Sequence, residues 1–382
     1  MRASTSAPPV LRPRGLFRDL DRPLALFSHL TPNWYASVMG TGIVATAAAS
    51  LPVQPPGLRA AATIVWVAAT VLLVAVTAAT GWHWLRYRAV ARTHHRHPVM
   101  AHFYGAPPMA LLTVGAGAVL LGKDLIGVTA AVALDAVLWV LGTVLGVCTA
   151  VLVPFLAFTR HVNAPAAAFG GWLMPVVPPM VSASTGALLL PYCPAGPVRE
   201  GLLTLCGALF GVSLVASMII ITLIWNRLMH HEMGPAALVP TLWIVLGPLG
   251  QSVTAATLLA TNADTVVDPF TARVLVVGAQ VYGFAMIGFA LLWAGIASAV
   301  TLRTARRGLP FSLTWWSFTF PIGTCVTGLS GLAVHSGLVL IDVLAVAAYG
   351  VLVLAWVIVA SRTFHGSVLS GRLLVPASVK PD

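Results

Sequence analysis

The sequence predicts an all-α polytopic membrane protein in which ten transmembrane helices form five helical hairpins around a central pore. Of its 382 residues, 58% are hydrophobic and only 8% are charged, whereas roughly one-quarter of the residues in a soluble domain are charged. The apolar residues also occur in runs long enough to cross a bilayer as helices. Alternate runs contain a glycine or proline break about every 70 residues, which is typical of an internal repeat.

The apolar runs divide the chain into a transmembrane domain and two short tails. We expect an N-terminal tail at residues 1–32, a transmembrane domain at 33–361 and a C-terminal tail at 362–382. The first and third runs are the least clear, because they are short and rich in glycine. The ten runs lie at residues 33–50, 59–80, 104–121, 130–158, 170–190, 201–225, 235–260, 273–298, 311–332 and 337–360.

The basic residues predict the orientation of these helices. Of 21 lysines and arginines, 17 fall in the tails and in the loops on the same side, and four fall in the other loops. Because cytoplasmic loops carry the excess of positive charge, both termini are predicted to lie in the cytoplasm, with the protein in the cell inner (plasma) membrane. This distribution also explains the net charge through topology and lipid contact, so we expect no nucleic-acid partner. The first 32 residues contain no apolar core typical of a cleavable signal.

The odd-numbered runs share a central break that the even-numbered runs lack. Non-helical backbone at membrane depth is tolerated only where it is buried in protein or lines a cavity. The five broken helices are therefore predicted to form an inner ring, and the five unbroken helices to face neighbours or lipid. The breaks are Gly40, Pro108, Pro178, Pro248 and Pro321.

Uncharged polar residues are concentrated on the same five runs. A single hydroxyl often serves only to pack helices, but their concentration on the broken runs favours a pore lining. Further hydroxyls occur at Thr46, Ser184, Thr185, Thr254, Thr319 and Thr327. Together with the breaks, the predicted lining residues are Thr41, Gly42, Thr113, Ser182, Gln251, Ser252 and Thr324.

A bulky aromatic residue lies at the break of the ninth run, FSLTWWSFTFPIGTCVTGLSGL. Phe320 directly precedes Pro321 and falls near the bilayer midplane. We interpret it as a steric and dewetting barrier that opens by rotation of its ring. The alternative is a core aromatic packed between helices. Phe318, two residues away, lies on another face of the helix and serves as an internal control.

One acidic residue lies well inside a run. Asp135 is either a proton site of a coupled carrier or a partner in a capping or interhelical hydrogen bond. His335 and Asp342, near the predicted outer mouth, have the same two interpretations.

Histidines are concentrated in two loops predicted to be cytoplasmic, a pattern found in metal sites and pH switches. Solvated loop histidines are the favoured interpretation, and a metalloenzyme is an alternative that needs ligands from both loops. These residues are His94, His95, His97 and His102 in one loop, and His230, His231 and Glu232 in the other.

The four cysteines predict no disulfide framework and no metal site. None of them forms a CxxC pair, and three fall inside apolar runs, so we interpret them as ordinary small residues. We therefore expect neither a metal nor any other cofactor. They are Cys148, Cys193, Cys206 and Cys325.

Three stretches resemble the tellurite-resistance/dicarboxylate transporter family, which includes bacterial TehA-like proteins, fungal malate and sulfite permeases and plant slow anion channels. They are TPNWYASVMGTGIVA at 31–45, GWLMPVVPPMVSASTGALL at 171–189 and WWSFTFPIGTCVTG at 315–328. The resemblance covers about residues 27–362. It implies ten helices around a central pore, commonly a homotrimer, and a phenylalanine of the ninth helix that closes the pore. By motif position, that residue is Phe320.

The expected function is that of an anion channel or a facilitative transporter for small anions, either inorganic anions or C4-dicarboxylates. A neutral pore suits this function, because a lysine or arginine at the midplane would cost about 2.5–3.5 kcal/mol and would tend to trap the anion. The alternative is a proton-coupled carrier that exports sulfite or a C4-dicarboxylate such as malate. The membrane metalloenzyme is a more distant alternative.

Overall fold

The structure is a computed structural model that describes residues 26–160 and 164–374. These residues are almost entirely helical, and none of them lies in a β-strand. The all-α prediction is therefore confirmed. Most of the predicted N-terminal tail, with its five arginines, and residues 375–382, with Lys380, lie outside the described residues.

Ten helices account for most of the described chain. Eight helical segments are long and apolar enough to cross a membrane, as judged by length and composition. The helices α1 and α5, with 16 and 12 residues, are not among them, so the count of ten transmembrane helices stays a prediction. The helices are α1 (Tyr35–Ser50), α2 (Leu58–Arg86), α3 (Ala106–Gly117), α4 (Val128–Arg160), α5 (Pro178–Leu189), α6 (Pro197–His230), α7 (Leu246–Asn262), α8 (Pro269–Ala305), α9 (Phe320–Ser336) and α10 (Val339–Phe364).

The helices pack as five hairpins in a closed ring. Each odd-numbered helix packs against the even-numbered helix that follows it. The odd-numbered helices also contact one another in the order α1, α3, α5, α7, α9 and back to α1. The most apolar windows of the segments containing α3, α7 and α9 are 67–78% buried, whereas those of the even-numbered helices are only 17–28% buried. The odd-numbered helices therefore form an inner ring, and the even-numbered helices surround it.

Each inner helix follows a short 3₁₀ segment, and proline marks four of the five transitions. Pro178 is the first residue of α5, Pro321 is the second of α9, and Pro108 and Pro248 are the third residues of α3 and α7. The first turn of a helix tolerates proline because its N–H groups have no intrahelical partner. The 3₁₀ segments are Pro32–Trp34, Met100–Gly105, Gly170–Leu173, Ala236–Val245 and Leu313–Phe318.

The predicted break at Gly40 is not observed. The helix α1 continues through this residue without interruption. A Cβ at Gly40 would lie 2.3 Å from Thr319 Oγ1 and 2.6 Å from the Trp316 ring. Gly40 is therefore needed for the close approach of α1 to the start of α9, and it does not interrupt the helix.

Every outer helix donates a side-chain hydrogen bond to an inner segment. Tryptophan indoles supply four of these bonds, and the hydroxyl of Ser213 on α6 supplies the fifth, to the Val176 carbonyl at 2.6 Å. These bonds give the buried oxygens of the inner segments a donor from the surrounding helices. The four indole bonds are Trp66 to the Val114 carbonyl (3.0 Å), Trp139 to the Ser182 carbonyl (2.8 Å), Trp293 to the Leu242 carbonyl (2.8 Å) and Trp356 to Thr41 Oγ1 (3.1 Å).

The helices α7 and α9 approach each other most closely at Gly250. A Cβ at this position would lie 2.4 Å from the backbone nitrogen of Cys325 and 2.5 Å from the carbonyl carbon of Thr324. Backbone atoms cannot rotate away from such a contact as a side chain can. Glycine is therefore required here for the ring to close.

Replacing Gly250 by alanine is expected to push α7 and α9 apart and to lower the free energy of unfolding by about 1–3 kcal/mol, the usual cost of overpacking. Unfolding of the purified protein in detergent, followed by tryptophan fluorescence, measures this change. Gly247→Ala is the matched control, because a Cβ at Gly247 meets no atom within 4 Å. Equal losses of stability in the two variants would contradict the role of Gly250.

Candidate functional site

A cavity of about 250 Å³ lies between the five inner helices, in their C-terminal halves. All five inner helices contribute to its wall, and none of its described lining residues is Asp, Glu, Lys or Arg. The described lining therefore has no acidic or basic residue of these four types, and it combines hydroxyl and amide groups with a largely apolar surface. Its polar lining residues are Thr46, Ser50, Thr113, Ser184, Thr185, Gln251, Thr254, Thr257, Thr261, Thr327, Ser330 and His335.

Phe320 separates this cavity from a smaller one. The smaller cavity has a volume of about 20 Å³ and lies toward the N-terminal ends of the inner helices, where Met39, Met109 and Trp316 contribute to its wall. Among the described lining residues, Phe320 alone belongs to both cavities. Its side chain is only 2% exposed. Phe320 therefore lies between the two cavities.

The hydroxyl groups of the cavity wall donate their protons to carbonyl groups of their own helices. Thr113 donates to the Met109 carbonyl at 2.7 Å, and Ser330 donates to the Val326 carbonyl at 2.8 Å. Such bonds fix the side chains and direct the oxygen lone pairs toward the cavity. An anion that enters the cavity has to compete for these protons.

Besides Thr254 on α7 and Thr327 on α9, whose hydroxyl oxygens lie 2.6 Å apart, two side-chain pairs connect neighbouring inner helices across the wall. Gln251 Nε2 on α7 hydrogen bonds to Ser184 Oγ on α5. At the mouth of the cavity, His335 Nε2 on α9 lies 2.9 Å from Thr261 Oγ1 on α7. Both pairs lie where an entering solute would contact them.

The predicted lining residues have three different positions. Thr113, Gln251 and Phe320 line the main cavity, and Pro321 lines the smaller one. The others line neither cavity because they face neighbouring helices or mark helix starts. They are Gly40, Thr41, Gly42, Pro108, Pro178, Ser182, Pro248, Ser252 and Thr324.

The contacts of these other residues explain their positions. Thr41 Oγ1 accepts the indole proton of Trp356. The hydroxyl of Thr324 lies within 3.3 Å of the carbonyl oxygens of Leu246 and Gly247. Ser252 donates to the Leu249 carbonyl of its own helix at 2.8 Å. Thr324 therefore links α9 to α7, and Thr41 links α1 to the outer helix α10.

Several lining residues were not predicted from the sequence. Thr257 and Thr261 on α7 and Ser330 on α9 line the cavity beside the predicted residues. A signal for them exists, because Gln251, Thr254, Thr257 and Thr261 recur every three or four residues and therefore share one face of a helix. Assigning polar residues to helix faces, rather than only to runs, would have identified them.

Asp135 lies behind the ring, outside both cavities. It is fully buried on α4, and a Cβ at Gly115 of α3 would lie 2.4 Å from its Oδ1. Neither carboxyl oxygen has a hydrogen-bond partner among the described residues. The expected capping or interhelical hydrogen bond is therefore not observed. Asp342, by contrast, lies in the first turn of α10.

The histidines of the first loop pack against the end of α2. The ring of His94, on the short helix Arg88–His94, stacks on His83 with centroids 5.4 Å apart. His83 Nδ1 lies 2.7 Å from the carbonyl oxygen of Phe27. Burial and the neighbouring histidines His83, His29, His95 and His97 lower the pKa of His94 to about 4. The stack therefore joins three segments of the chain.

No metal site is formed in the part of the chain that the structure describes. No group of three or more His, Cys, Asp or Glu side chains there is placed to hold a metal ion. The four cysteines are free. His102 stacks on Trp172, with centroids 6.1 Å apart.

Acidification is expected to open the His83–His94 stack. The pKa of His94 rises from about 4 in the stack to its ordinary value of 6.5 when exposed, so the stack keeps its full stability above pH 6.5 and loses it progressively down to pH 4. Hydrogen exchange of the backbone at residues 88–94, corrected for the intrinsic effect of pH, should accelerate over this range. The variant His94→Gln should lose this dependence, and His230→Gln should retain it. A flat profile in the unmodified protein would contradict the interpretation.

The comparisons with known proteins relate the chain to membrane transport proteins. The family model SLAC1, described as "Voltage-dependent anion channel", matches residues 29–364. An "Uncharacterized transporter" of Methanocaldococcus jannaschii is 27% identical over 362 residues, which cover 91% of this chain and 98% of the relative. A "Sulfite efflux pump" of Arthroderma otae is 26% identical over 351 residues, covering 89% and 91%. These names describe channels and transporters rather than enzymes.

Proposed function

The chain belongs to the SLAC1 family of voltage-dependent anion channels, and from this premise we propose that it moves small anions through the cavity between the five inner helices. It acts as a channel or a facilitative transporter, and Phe320 is its gate. Because all five inner helices contribute to the cavity wall, the pore follows the axis of the ring. Inorganic anions and C4-dicarboxylates are the proposed cargo, and the sulfite named for several relatives falls within this class.

The proposal rests on the position of Phe320. Its buried ring lies between the two cavities. An apolar side chain at a constriction excludes water, and an ion cannot pass without its hydration or a replacement for it. Rotation of one ring would then connect the two cavities without a movement of helices.

The arrangement in the membrane belongs to the same proposal. Both termini lie in the cytoplasm of the cell, because the basic residues are concentrated on that side. The transmembrane domain extends over residues 33–361 between the two tails. The homotrimer follows from the family resemblance. In that assembly each subunit has its own pore.

Removal of the Phe320 side chain is expected to raise the anion conductance by at least about tenfold, the factor that corresponds to about 1.4 kcal/mol of barrier. The measurement is the current through purified protein in planar bilayers under ion replacement, for the unmodified protein and Phe320→Ala. The current should reverse near the anion equilibrium potential.

Phe318→Ala is the matched control for this experiment. Phe318 is the same residue type, packs edge-on against Trp243 and Trp315 at 5.6 Å, and lines neither cavity. Its truncation should leave the conductance unchanged. If both variants conduct equally, or neither conducts, Phe320 is not the gate.

A proton-coupled exporter of sulfite or of a C4-dicarboxylate is the second proposed function. Asp135 favours this function, because it is buried in a membrane helix and its carboxyl group has no hydrogen-bond partner among the described residues. Such an acidic residue costs free energy, and it often marks a proton path. The relatives named as efflux pumps also agree with export.

Under this second function, Asp135→Asn is expected to abolish the part of the anion flux that depends on a pH gradient. The measurement is sulfite flux in liposomes with and without the gradient. Asp124→Asn is the control, because Asp124 is exposed and pairs with Arg59 at 2.6 Å. If sulfite flux through the unmodified protein does not respond to the pH gradient, proton coupling is excluded and the first proposed function, a channel or facilitative transporter, is retained.

A further inference from the structure

We propose that the carboxamide of Gln251 is the anion-binding donor of this pore, and that Ser184 fixes its orientation. The inference rests on the proposed function, since it names the group that an anion contacts in the main cavity. The ligand class is a small anion that accepts a hydrogen bond from a neutral N–H group. Gln251 is 4% exposed and lines the cavity.

The hydrogen bonds of Ser184 determine which end of the carboxamide faces it. Ser184 Oγ donates its proton to the Val181 carbonyl at 2.9 Å. A hydroxyl has one proton, so toward Gln251 this oxygen can only accept. Gln251 must therefore present its NH₂ group to Ser184, as observed. The chemistry of Ser184 thus supports this assignment of the amide nitrogen and oxygen.

The second proton of this NH₂ group is not used by the protein. Among the described residues, Ser184 Oγ is the one hydrogen-bond partner of Gln251 Nε2. Because the two N–H bonds of an amide diverge within its plane, only one of them can point at Ser184. The other remains available to whatever occupies the cavity.

The hydroxyl donors of the cavity wall are already engaged. The hydroxyls among the described lining residues donate to backbone carbonyls of their own helices, except that one member of the Thr254–Thr327 pair, whose oxygens lie 2.6 Å apart, donates to the other. They belong to Thr46, Ser50, Thr113, Ser184, Thr185, Thr254, Thr257, Thr261, Thr327 and Ser330.

The depth of Gln251 places this donor beside the gate. Its neighbour Gly250 contacts the backbone of Thr324 and Cys325 on α9. These residues lie about one helical turn beyond Phe320. An anion held at Gln251 would therefore lie in the main cavity about one helical turn from Phe320. Because the donor is neutral, it can hold an anion there without the trapping that a fixed cation would cause.

The first test measures chloride conduction in the Phe320→Ala background, where the pore is expected to be open. Gln251→Leu should raise the half-saturating chloride concentration by about tenfold, the effect of losing one hydrogen bond to a charged ligand. Ser184→Ala should raise it less, because the amide stays but loses its orientation. Gln251→Glu should abolish chloride current, because a carboxylate repels anions.

Ser252→Ala is the control in the same background. Ser252 is adjacent to Gln251, is fully buried and lines neither cavity. Its substitution should leave the half-saturating concentration unchanged. A Gln251→Leu variant with the same half-saturating concentration as its parent would overturn the inference.

A second measurement does not depend on the gate. Chloride that binds the folded protein should raise its melting temperature relative to gluconate at equal ionic strength. Gln251→Leu should lose this increase, and Ser252→Ala should keep it. If Phe320→Ala gives no anion current in bilayers, the proposal that Phe320 is the gate is rejected. The comparison of melting temperatures then still tests the role of Gln251. Equal chloride effects in the unmodified protein and in Gln251→Leu would then reject that role.

Discussion

The need to pair every backbone carbonyl inside a membrane determines how this ring is built. A change from 3₁₀ to α-helix frees carbonyl groups in the middle of an inner segment. Val176 and Leu242 lie in such stretches, since both precede the α-helical part of their segments. Ser213 and Trp293 of the outer helices donate to their carbonyls. The outer helices are therefore required by the irregular inner ones, and each hairpin is a unit in which one helix completes the other.

This arrangement also determines the electrostatics of the cavity. Many carbonyl groups of the ring accept hydrogen bonds from tryptophan indoles or from hydroxyls of the ring itself. The ring therefore presents little uncompensated partial charge to a solute in the cavity. Such a wall neither traps an anion nor replaces its hydration well. The uncommitted N–H of Gln251 is the exception, and it lies on the helix α7 that is bound most closely to α9. Weak binding beside a narrow gate is the combination that conduction requires.

The sequence was sufficient for the hairpin plan because hydropathy and proline spacing are local properties of the chain. The inner ring followed from four prolines at the starts of helices, although the fifth position, Gly40, is a packing glycine within α1. The lining was predicted less well, since Ser252 bonds to its own helix, Thr324 bonds to the neighbouring helix α7, and neither lines a cavity. Which face of a helix points inward depends on the partner helices, and a count of polar residues in one run cannot reveal it. Whether Asp135 has a hydrogen-bond partner likewise depends on the neighbouring helix α3. The residue of α3 next to its carboxyl group is Gly115, which has no side chain.

The packing around Phe320 limits how the proposed gate can open. Close backbone contact at Gly250 and the hydroxyl of Thr324 bind α9 to α7, so a displacement of the whole helix would break several contacts at once. Rotation of the ring alone breaks none of them. The smaller cavity, at about 20 Å³, has room for little more than one water, which is less than a phenyl ring requires. The ring therefore enters it only if Met39 and Met109 in its wall change conformation, which their unbranched side chains allow. Opening of the pore is then a local repacking of one phenylalanine against flexible methionines, inside a ring of helices that stays in place.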